Sequence, residues 1–573
     1  MKKMIRNSLI LAILIVSFIS CSGKALYNAG TYEGEGKGHG GTIVVSVTVS
    51  DKAIEAIELV ENPESEFSLK PINALIESAI KENSGDIDAI SGASETSEGM
   101  ITAIQAALAK ASTGKTQDAV SKSEATTALE DDQADIVIIG AGGAGLSAAK
   151  AAADAGAKVI VLEKMAFVGG NTNYATGGLN AAYTDQQKAK GIEDSVEQYF
   201  EDTMKGGKNL NDPALVKVLT EKSKDNVNWL TSLGADLSDV GFLGGSTNSR
   251  THRPTGGASI GAHIVSVLDK VAEEVADIRT GSKVVAITAD GGVVNGVDVE
   301  TADGIYHITA KAVIIASGGF GSSPEKIVQF KPALKGFGTT NHPGATGDAL
   351  ELVKPLNVAL VDMEQIQTHP TVVPVKNTMI TEAVRGNGAI MVNREAERFV
   401  SELQTRDVVS DAELAQTGQT VFLCFDQGVR ESLKAIEHYA TSGLLTEAGS
   451  IAELASALDL DGETLQATID TYNGYVDSGS DPDFGRADLP RKIENPPFYM
   501  VEVGPAVHHT MGGLKIDTDT KVINESGEWV TGLFAAGEVT GGVHGANRLG
   551  GNAMADITIY GRIAGTQAAS YVK

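Results

Sequence analysis

The stretch "ADIVIIGAGGAGLSAAKAAADAGAKVIVLEK", residues 134–164, restricts this chain more than any other. An apolar run from Ile136 to Ile139 meets Gly140, Gly142 and Gly145, then an alanine-rich segment of helical period, then a second apolar run that ends at Glu163. Strand, glycine turn, helix and strand in that order form a Rossmann-type βαβ unit, which commits the region to a parallel sheet covered by helices. The glycines let the backbone approach a pyrophosphate at the helix N-terminus, and an acid at the end of the second strand can accept both hydroxyls of a ribose. A dinucleotide is expected here. The later stretches "GGNTNYATGG" (169–178) and "AVIIASGGFG" (312–321) add further close-approach glycines and another buried strand, which favours FAD over NAD. There is one such fingerprint, so a separate nicotinamide domain is not expected.

At 573 residues the chain exceeds one hydrophobic core, and 42% hydrophobic residues suffice to fill two or three. From Tyr27 to Ser112 it reads as a small α+β domain: "TIVVSVTVS" alternates as a strand with one buried face does, and "LKPINALIESAI" and "GMITAIQAALAKA" have helical period. The polar stretch 113–132 reads as a linker. The 74 acidic and 46 basic residues give a net charge of −28, which excludes nucleic acid as a partner. A small anionic substrate therefore needs a local cationic cluster.

At the N-terminus, Lys2, Lys3 and Arg6 precede the apolar run Leu9 to Ile19, the pattern of an export signal over 1–20. The following Ser20-Cys21 resembles a lipobox and predicts lipidation at Cys21, hence an extracytoplasmic protein held to the membrane by a lipid anchor only. The other cysteine, Cys424, lies in apolar "VFLCF" and reads as inert core. With Cys21 lipidated no disulfide is possible, and no Cys-x-x-Cys-His is present to bind haem covalently. No metal site is expected.

From Ala134 onward the chain resembles the soluble fumarate reductases of the flavocytochrome c type, within the fumarate reductase/succinate dehydrogenase flavoprotein family. The blocks that carry the likeness are "SRTHRPTGG", "HPTVVPVKNTMITEAVRGNGAIMVNREAERFV", "TRD", "HHTMGG" and "AAGEVTGGVHGANRLGGNA". The resemblance implies an α/β fold: a Rossmann-type FAD-binding domain in two parts, 133–364 and 505–573, split by an α+β clamp (capping) domain at 365–504 and preceded by the small α+β domain. It implies noncovalent FAD, because "NTNYATGG" has no histidine where membrane-bound relatives attach the flavin. Its FAD contacts are Gly140, Gly142, Gly145, Glu163, Lys164, Gly170, Asn171, Thr172, Gly177, Gly178, Asp348, His509, Glu538, Arg548 and Ala553.

Fumarate is a planar dianion and needs two carboxylate anchors, a hydride donor on one face and a proton donor on the other. By resemblance, His508 and Arg548 hold one carboxylate, and His369, Thr381 and Met379 hold the other. Arg406 is implied as general acid, with Glu382 and Arg385, at i and i+3, relaying protons to it. An arginine is an unusual acid, since its guanidinium is normally kept protonated; the carbanion left by hydride arrival must be basic enough to take the proton. Electrostatic clamping is the plainer role for Arg406.

The soluble relatives receive electrons through a multihaem domain, which this chain lacks. Its N-terminal domain instead resembles the FMN-binding domains of membrane-linked redox complexes, whose signature Asp-x-x-Ser/Thr-Gly-Ala-Ser/Thr is matched by Asp88, Ser91, Gly92, Ala93 and Ser94. That implies FMN joined to Ser94 through a phosphoester, a flavin transferase as maturation partner, and a membrane electron donor. The reading is an extracytoplasmic fumarate reductase. Reduction of a related unsaturated acid (urocanate, acrylate or methacrylate) and a non-enzymatic lipid-anchored flavin electron carrier stand as alternatives.

Overall fold

Alternation settles the smaller unit. In Thr42–Val49 every second side chain, Ile43, Val45, Val47 and Val49, is buried, and this strand is central in an antiparallel sheet with Gly30–Lys37 and Ile54–Glu61 on its two sides. Ile72, Leu75 and Ala79 of the helix Leu69–Glu82, and Met100, Ala103, Ile104 and Ala107 of the helix Ser94–Ala111, close the core over it. Each large apolar side chain so buried contributes about 1.5–3 kcal/mol.

The computed structural model describes residues 25–38, 41–64, 69–87, 89–90, 94–113, 131–486 and 488–573. The chain divides into two compact units, Met1–Glu124 and Ala125–Lys573. The export signal, Cys21, Asp88, Ser91, Gly92, Ala93 and all of the linker but its ends lie outside the described residues. Ser94 is the first residue of the helix Ser94–Ala111.

In the larger unit, the strands Asp277–Arg279, Val159–Leu162, Asp132–Ile139, Gly304–Ile315 and Trp529–Ala535 lie side by side in parallel. Their facing residues, among them Ile136, Val137, Ile138, Ile160, Val161, Ile314, Ile315 and Leu533, are wholly buried, which is why these runs are apolar without alternation. Antiparallel strands Lys283–Asp290 and Val293–Thr301 extend one edge, and Lys521–Ile523 completes the eight-stranded sheet. The helix Gly143–Asp154 follows the glycine turn, and the C-terminal helix Asn552–Val572 lies against it. Gly561 and Gly565 permit that contact: a Cβ on either would strike the carbonyl of Ala144 or Ala148.

A second, six-stranded sheet is built on Phe498–Thr510. Its first half pairs with Val421–Asp426, from Asp426 opposite Phe498 to Val421 opposite Val503; its second half pairs with Ile366–Val373, from Val372 opposite Gly504 to Ile366 opposite Thr510. The strand therefore runs without a break through position 504, joining the region of 365–504 to the C-terminal part of the FAD-binding region. Between Gln367 opposite His509 and Thr368 opposite Val507, His508 is an extra residue, a β-bulge. A bulge re-aims the side chain it carries. Among the described residues no helix is long and apolar enough to cross a membrane.

Candidate functional site

The first glycine turn is interlocked with the second. Gly169 N donates to Ala141 O at 2.8 Å, and Gly143 N donates to Thr172 Oγ1 at 3.0 Å. Gly142 caps the helix Gly143–Asp154 with no side-chain hydrogen bond, so after Gly143 N, which Thr172 Oγ1 takes, the next amides of the first turn are left for an anion. A Cβ on Gly170 or Gly318 would enter open space, and one on Gly142 would approach nothing closer than 3.8 Å. That is a cradle of bare backbone. Gly145 is needed for packing, since a Cβ there would strike the Gly140 carbonyl. Gly178 packs its bare face on Thr251 and His252, and Gly177 lies near Leu243.

The acids of this region are placed as a dinucleotide requires. Glu163, nearly buried, accepts from Ala141 N and Met165 N, both at 2.9 Å, and burial raises its carboxyl above the usual range. Two accepted bonds leave its carboxylate room for further donors. Lys164 pairs with Asp348 at 2.8 Å and donates to Thr346 at 2.6 Å. Asn171 donates to Glu538 at 3.4 Å, and Thr510 N donates to the same carboxyl at 3.0 Å. His509 Nδ1 is 3.5 Å from Glu538, while its Nε2 and the Nε2 of His342 are buried without a partner among the described residues. Ala553 lies in the first turn of Asn552–Val572. Open backbone, unpartnered ring nitrogens and a terminal acid fit FAD.

Beside this cradle the structure gathers the cations that the acidic chain requires. Arg406 opens the helix Arg406–Leu414 and Arg548 lies in the "GANRLGG" turn; both donate to one oxygen, Gln367 Oε1, at 3.1 and 3.2 Å. Arg406 Nε also donates to Glu382 Oε2 at 3.1 Å, and Glu382 Oε1 accepts from Gly244 N at 3.2 Å. Glu382 and Arg385 share the short helix Glu382–Gly386, where Arg385 donates to the Glu402 carbonyl at 2.7 Å. The bulge turns His508 toward His369, with ring centroids 5.1 Å apart, and Thr340 Oγ1 fixes His508 Nδ1 at 2.7 Å. Thr381 is anchored through its amide to the Tyr439 hydroxyl at 3.0 Å, and its hydroxyl accepts from Thr176 at 3.3 Å. Met379 sits at the sheet edge opposite Val372.

Burial and crowding decide the charges. Burial, followed by Arg406, keeps His369 and His508 well below the ordinary histidine value, so both rings are neutral donors or acceptors near pH 7. Burial and then Arg406 bring Arg548 down to about 9. Burial opposes the charged form of Glu382, yet Arg406 and Arg385 outweigh it and hold that carboxyl below the usual range. The result is a cluster of two adjacent guanidinium groups, two neutral imidazoles and one engaged carboxylate, suited to a small polyanion.

Gln367, Gly244, Thr340 and Tyr439 complete this site, and sequence reading passes over them. Gln367 stands two residues before His369 in the same strand, so period two alone flags it as a neighbour on one face. The other three act through a backbone amide or an ordinary hydroxyl and carry no signal. In the smaller unit Thr96 donates to Glu64 at 2.6 Å and Ile90 N donates to Ser97 at 3.1 Å, which ties the start of the helix Ser94–Ala111 to the preceding segment.

Comparison with known proteins assigns each unit to a family. The FAD binding domain family matches residues 135–554, and the FMN-binding domain family matches residues 38–109. A fumarate reductase (cytochrome) of Shewanella frigidimarina is 52% identical over 458 residues, 79% of this chain and 80% of that protein. A urocanate reductase of Eggerthella lenta is 35% identical over 570 residues, 96% of this chain and 94% of that protein. Among solved structures, the open conformation of a flavocytochrome c3 fumarate reductase aligns with a TM-score of 0.68 at 43% identity, covering 81% of this chain and 84% of that one.

Proposed function

Since the chain belongs to the fumarate reductase/succinate dehydrogenase flavoprotein family and carries an N-terminal FMN-binding domain, we propose that it reduces fumarate to succinate outside the cytoplasm. It is an FAD-dependent oxidoreductase; the substrate, the site roles and the electron route are this reading. The observation that carries the substrate is the pair of guanidinium groups on Gln367 beside two neutral histidines, set in a protein whose net charge is −28. Such a cluster would hold a planar dianion by charge at one end and by hydrogen bonds at the other.

Gly140, Gly142, Gly145, Glu163, Lys164, Gly170, Asn171, Thr172, Asp348, His509, Glu538 and Ala553 would hold FAD noncovalently. Bound and reduced, it supplies the hydride for one alkene carbon. His508 and Arg548 hold one carboxylate; His369 and Thr381, with Met379 beside them, hold the other. Arg406 gives a proton to the second carbon, and the engaged Glu382 with Arg385 returns one to it. This assignment draws on the 3.1 Å contact of Arg406 with Glu382. Residues 365–504, as a clamp, exclude water while this occurs. Electrons come from a membrane donor through FMN joined to Ser94 by a flavin transferase, and Cys21 carries the lipid that keeps the protein at the membrane.

The decisive assay gives the purified protein, carrying both flavins, a reduced dye and then fumarate, urocanate or acrylate. The highest kcat/KM is expected with fumarate, and Arg406→Ala is expected to abolish turnover while retaining FAD. A preference for urocanate or acrylate, or normal turnover by Arg406→Ala, overturns the reading.

A further inference from the structure

The helix that begins with Arg406 carries two more polar residues on the same face. Arg406, Ser410 and Glu413 stand at i, i+4 and i+7, one or two helical turns apart, and Ser410 and Glu413 are buried. Both carboxyl oxygens of Glu413 and the hydroxyl of Ser410 are buried with no hydrogen-bond partner among the described residues. So are Nε and Nη2 of Arg385, which spends only Nη1, on the Glu402 carbonyl. Unpartnered buried polar groups are costly, about 1–3 kcal/mol each, and persist where function or bound water uses them. Five such atoms on three side chains behind the Glu382–Arg406 pair are not explained by packing.

Glu413 is also electrostatically coupled to the site. When it is ionised, it is, after Glu382, the carboxyl that most favours the charged form of Arg385. The strands packed against this helix bring His369, His508, His509 and Glu502, and the helix itself carries Asp407 and Asp411. Among the described residues, however, Arg385 alone acts on Glu413, and burial outweighs it. Burial therefore holds Glu413 well above the ordinary carboxyl value and favours its protonated form.

We propose that Glu413 is a positioning and proton-storing residue behind Arg385, the next group outward in the supply that refills Arg406. This rests on the fumarate reductase reading above. Each turnover consumes one proton besides the hydride. Arg406 gives its proton to the substrate carbanion; Arg385 passes one through the Glu382 carboxylate to Arg406; Glu413, which no hydrogen bond joins to Arg385 directly, reprotonates it through a bridging water and becomes a carboxylate. The carboxylate faces a guanidinium until a proton from water, passed along Ser410, restores the acid.

The test uses the holoenzyme with reduced dye and fumarate, from about pH 6 to about pH 9 in light and heavy water. Glu413→Gln keeps shape and removes the proton; kcat is expected to fall about tenfold or more with KM unchanged and a larger solvent isotope effect, and Glu413→Asp to recover part of the rate. A Glu413→Gln rate within about twofold of the parent at every pH, with an unchanged isotope effect, overturns the proposal. Should Glu413→Gln fail to bind FAD, Ser410→Ala decides by the same two measurements. A parent enzyme inactive on fumarate would defeat the functional reading instead, whereas an active parent with an indifferent Glu413→Gln defeats only the role of Glu413.

Discussion

Arg406 and Arg548 are tied to one oxygen: Gln367 Oε1 accepts from the first at 3.1 Å and from the second at 3.2 Å. The other end of the same amide is also fixed, since Gln367 Nε2 donates to Asn547 Oδ1 at 2.6 Å and to the Arg548 carbonyl at 2.8 Å. A neutral amide thus holds two like charges close together. Removing the acceptor should let the guanidinium groups move apart. Gln367→Met, similar in length, is expected to cost about 1–3 kcal/mol of stability and to raise KM for fumarate more than it lowers kcat. Steady-state kinetics with FAD content measured in parallel checks this; an unchanged KM would remove Gln367 from substrate positioning.

Arg548 gives a prediction in pH. Burial and its neighbour Arg406 bring it down to about 9, so the free enzyme loses this cation as pH rises through that value. A bound dianion favours the charged form and shifts the group upward, so affinity and protonation are linked. The fumarate dissociation constant, followed through the flavin spectrum of the oxidised enzyme, should be flat near neutral pH. Above about pH 9 it should weaken, by at most about tenfold per pH unit. A flat response through pH 10 would mean that Arg548 remains charged or does not hold substrate.

How much of this is legible in the sequence depends on where each residue's information lies. The βαβ unit is written in local order, and its strands, helix and glycines stand where residues 134–164 imply. The pairing of His369 with His508 is different, because regular alternation sends His508 and His509 to opposite faces and says nothing of a bulge. That bulge exists only through register with Ile366–Val373, a partner more than a hundred residues away. Gln367 and Glu413 carry no sequence signal of their role because glutamine in a strand and glutamate in a helix are ordinary residues; burial makes them significant. The boundary expected at 504 falls inside the continuous strand Phe498–Thr510, whose pattern does not change there.

His252, in the "SRTHRPTGG" block, links the fold to acid. It is buried, with Nδ1 2.9 Å from the Arg250 carbonyl and Nε2 2.8 Å from the Thr184 hydroxyl, a pattern that fits the neutral ring. Burial pushes it down to about 4 from an ordinary 6.5. Between those values the unfolded chain binds a proton that the folded chain refuses, so stability falls as pH drops below about 6.5. At pH 5 this one group accounts for about 2 kcal/mol. His252→Gln should be less stable near neutral pH but should lose less on acidification; thermal melts at pH 7.5 and pH 5 measure the difference. Equal acid losses in both proteins would refute the assignment.

The smaller unit makes its own prediction at Gly99. The helix Ser94–Ala111 lies on the strand Gly30–Lys37 with no side chain between them at this point, and a Cβ on Gly99 would stand 2.6 Å from Gly38 N and 2.7 Å from Gly38 Cα. Gly34 meets the same helix just as closely, since a Cβ there would strike the Ala103 carbonyl. Backbone on both sides leaves nothing flexible to yield, so Gly99→Ala must lift the first turns of the helix off the sheet. The expected cost is about 1–3 kcal/mol, an overpacking penalty confined to this unit. Because Ser94 opens that helix, displacement should also reduce FMN attachment in cells containing the transferase, while FAD bound by Ala125–Lys573 stays at parent levels. Mass spectrometry of the Ser94 peptide together with FAD content separates the outcomes: full flavin attachment in Gly99→Ala would show that the helix seat does not govern modification, and an unmodified Ser94 peptide in the parent would end the covalent FMN assignment.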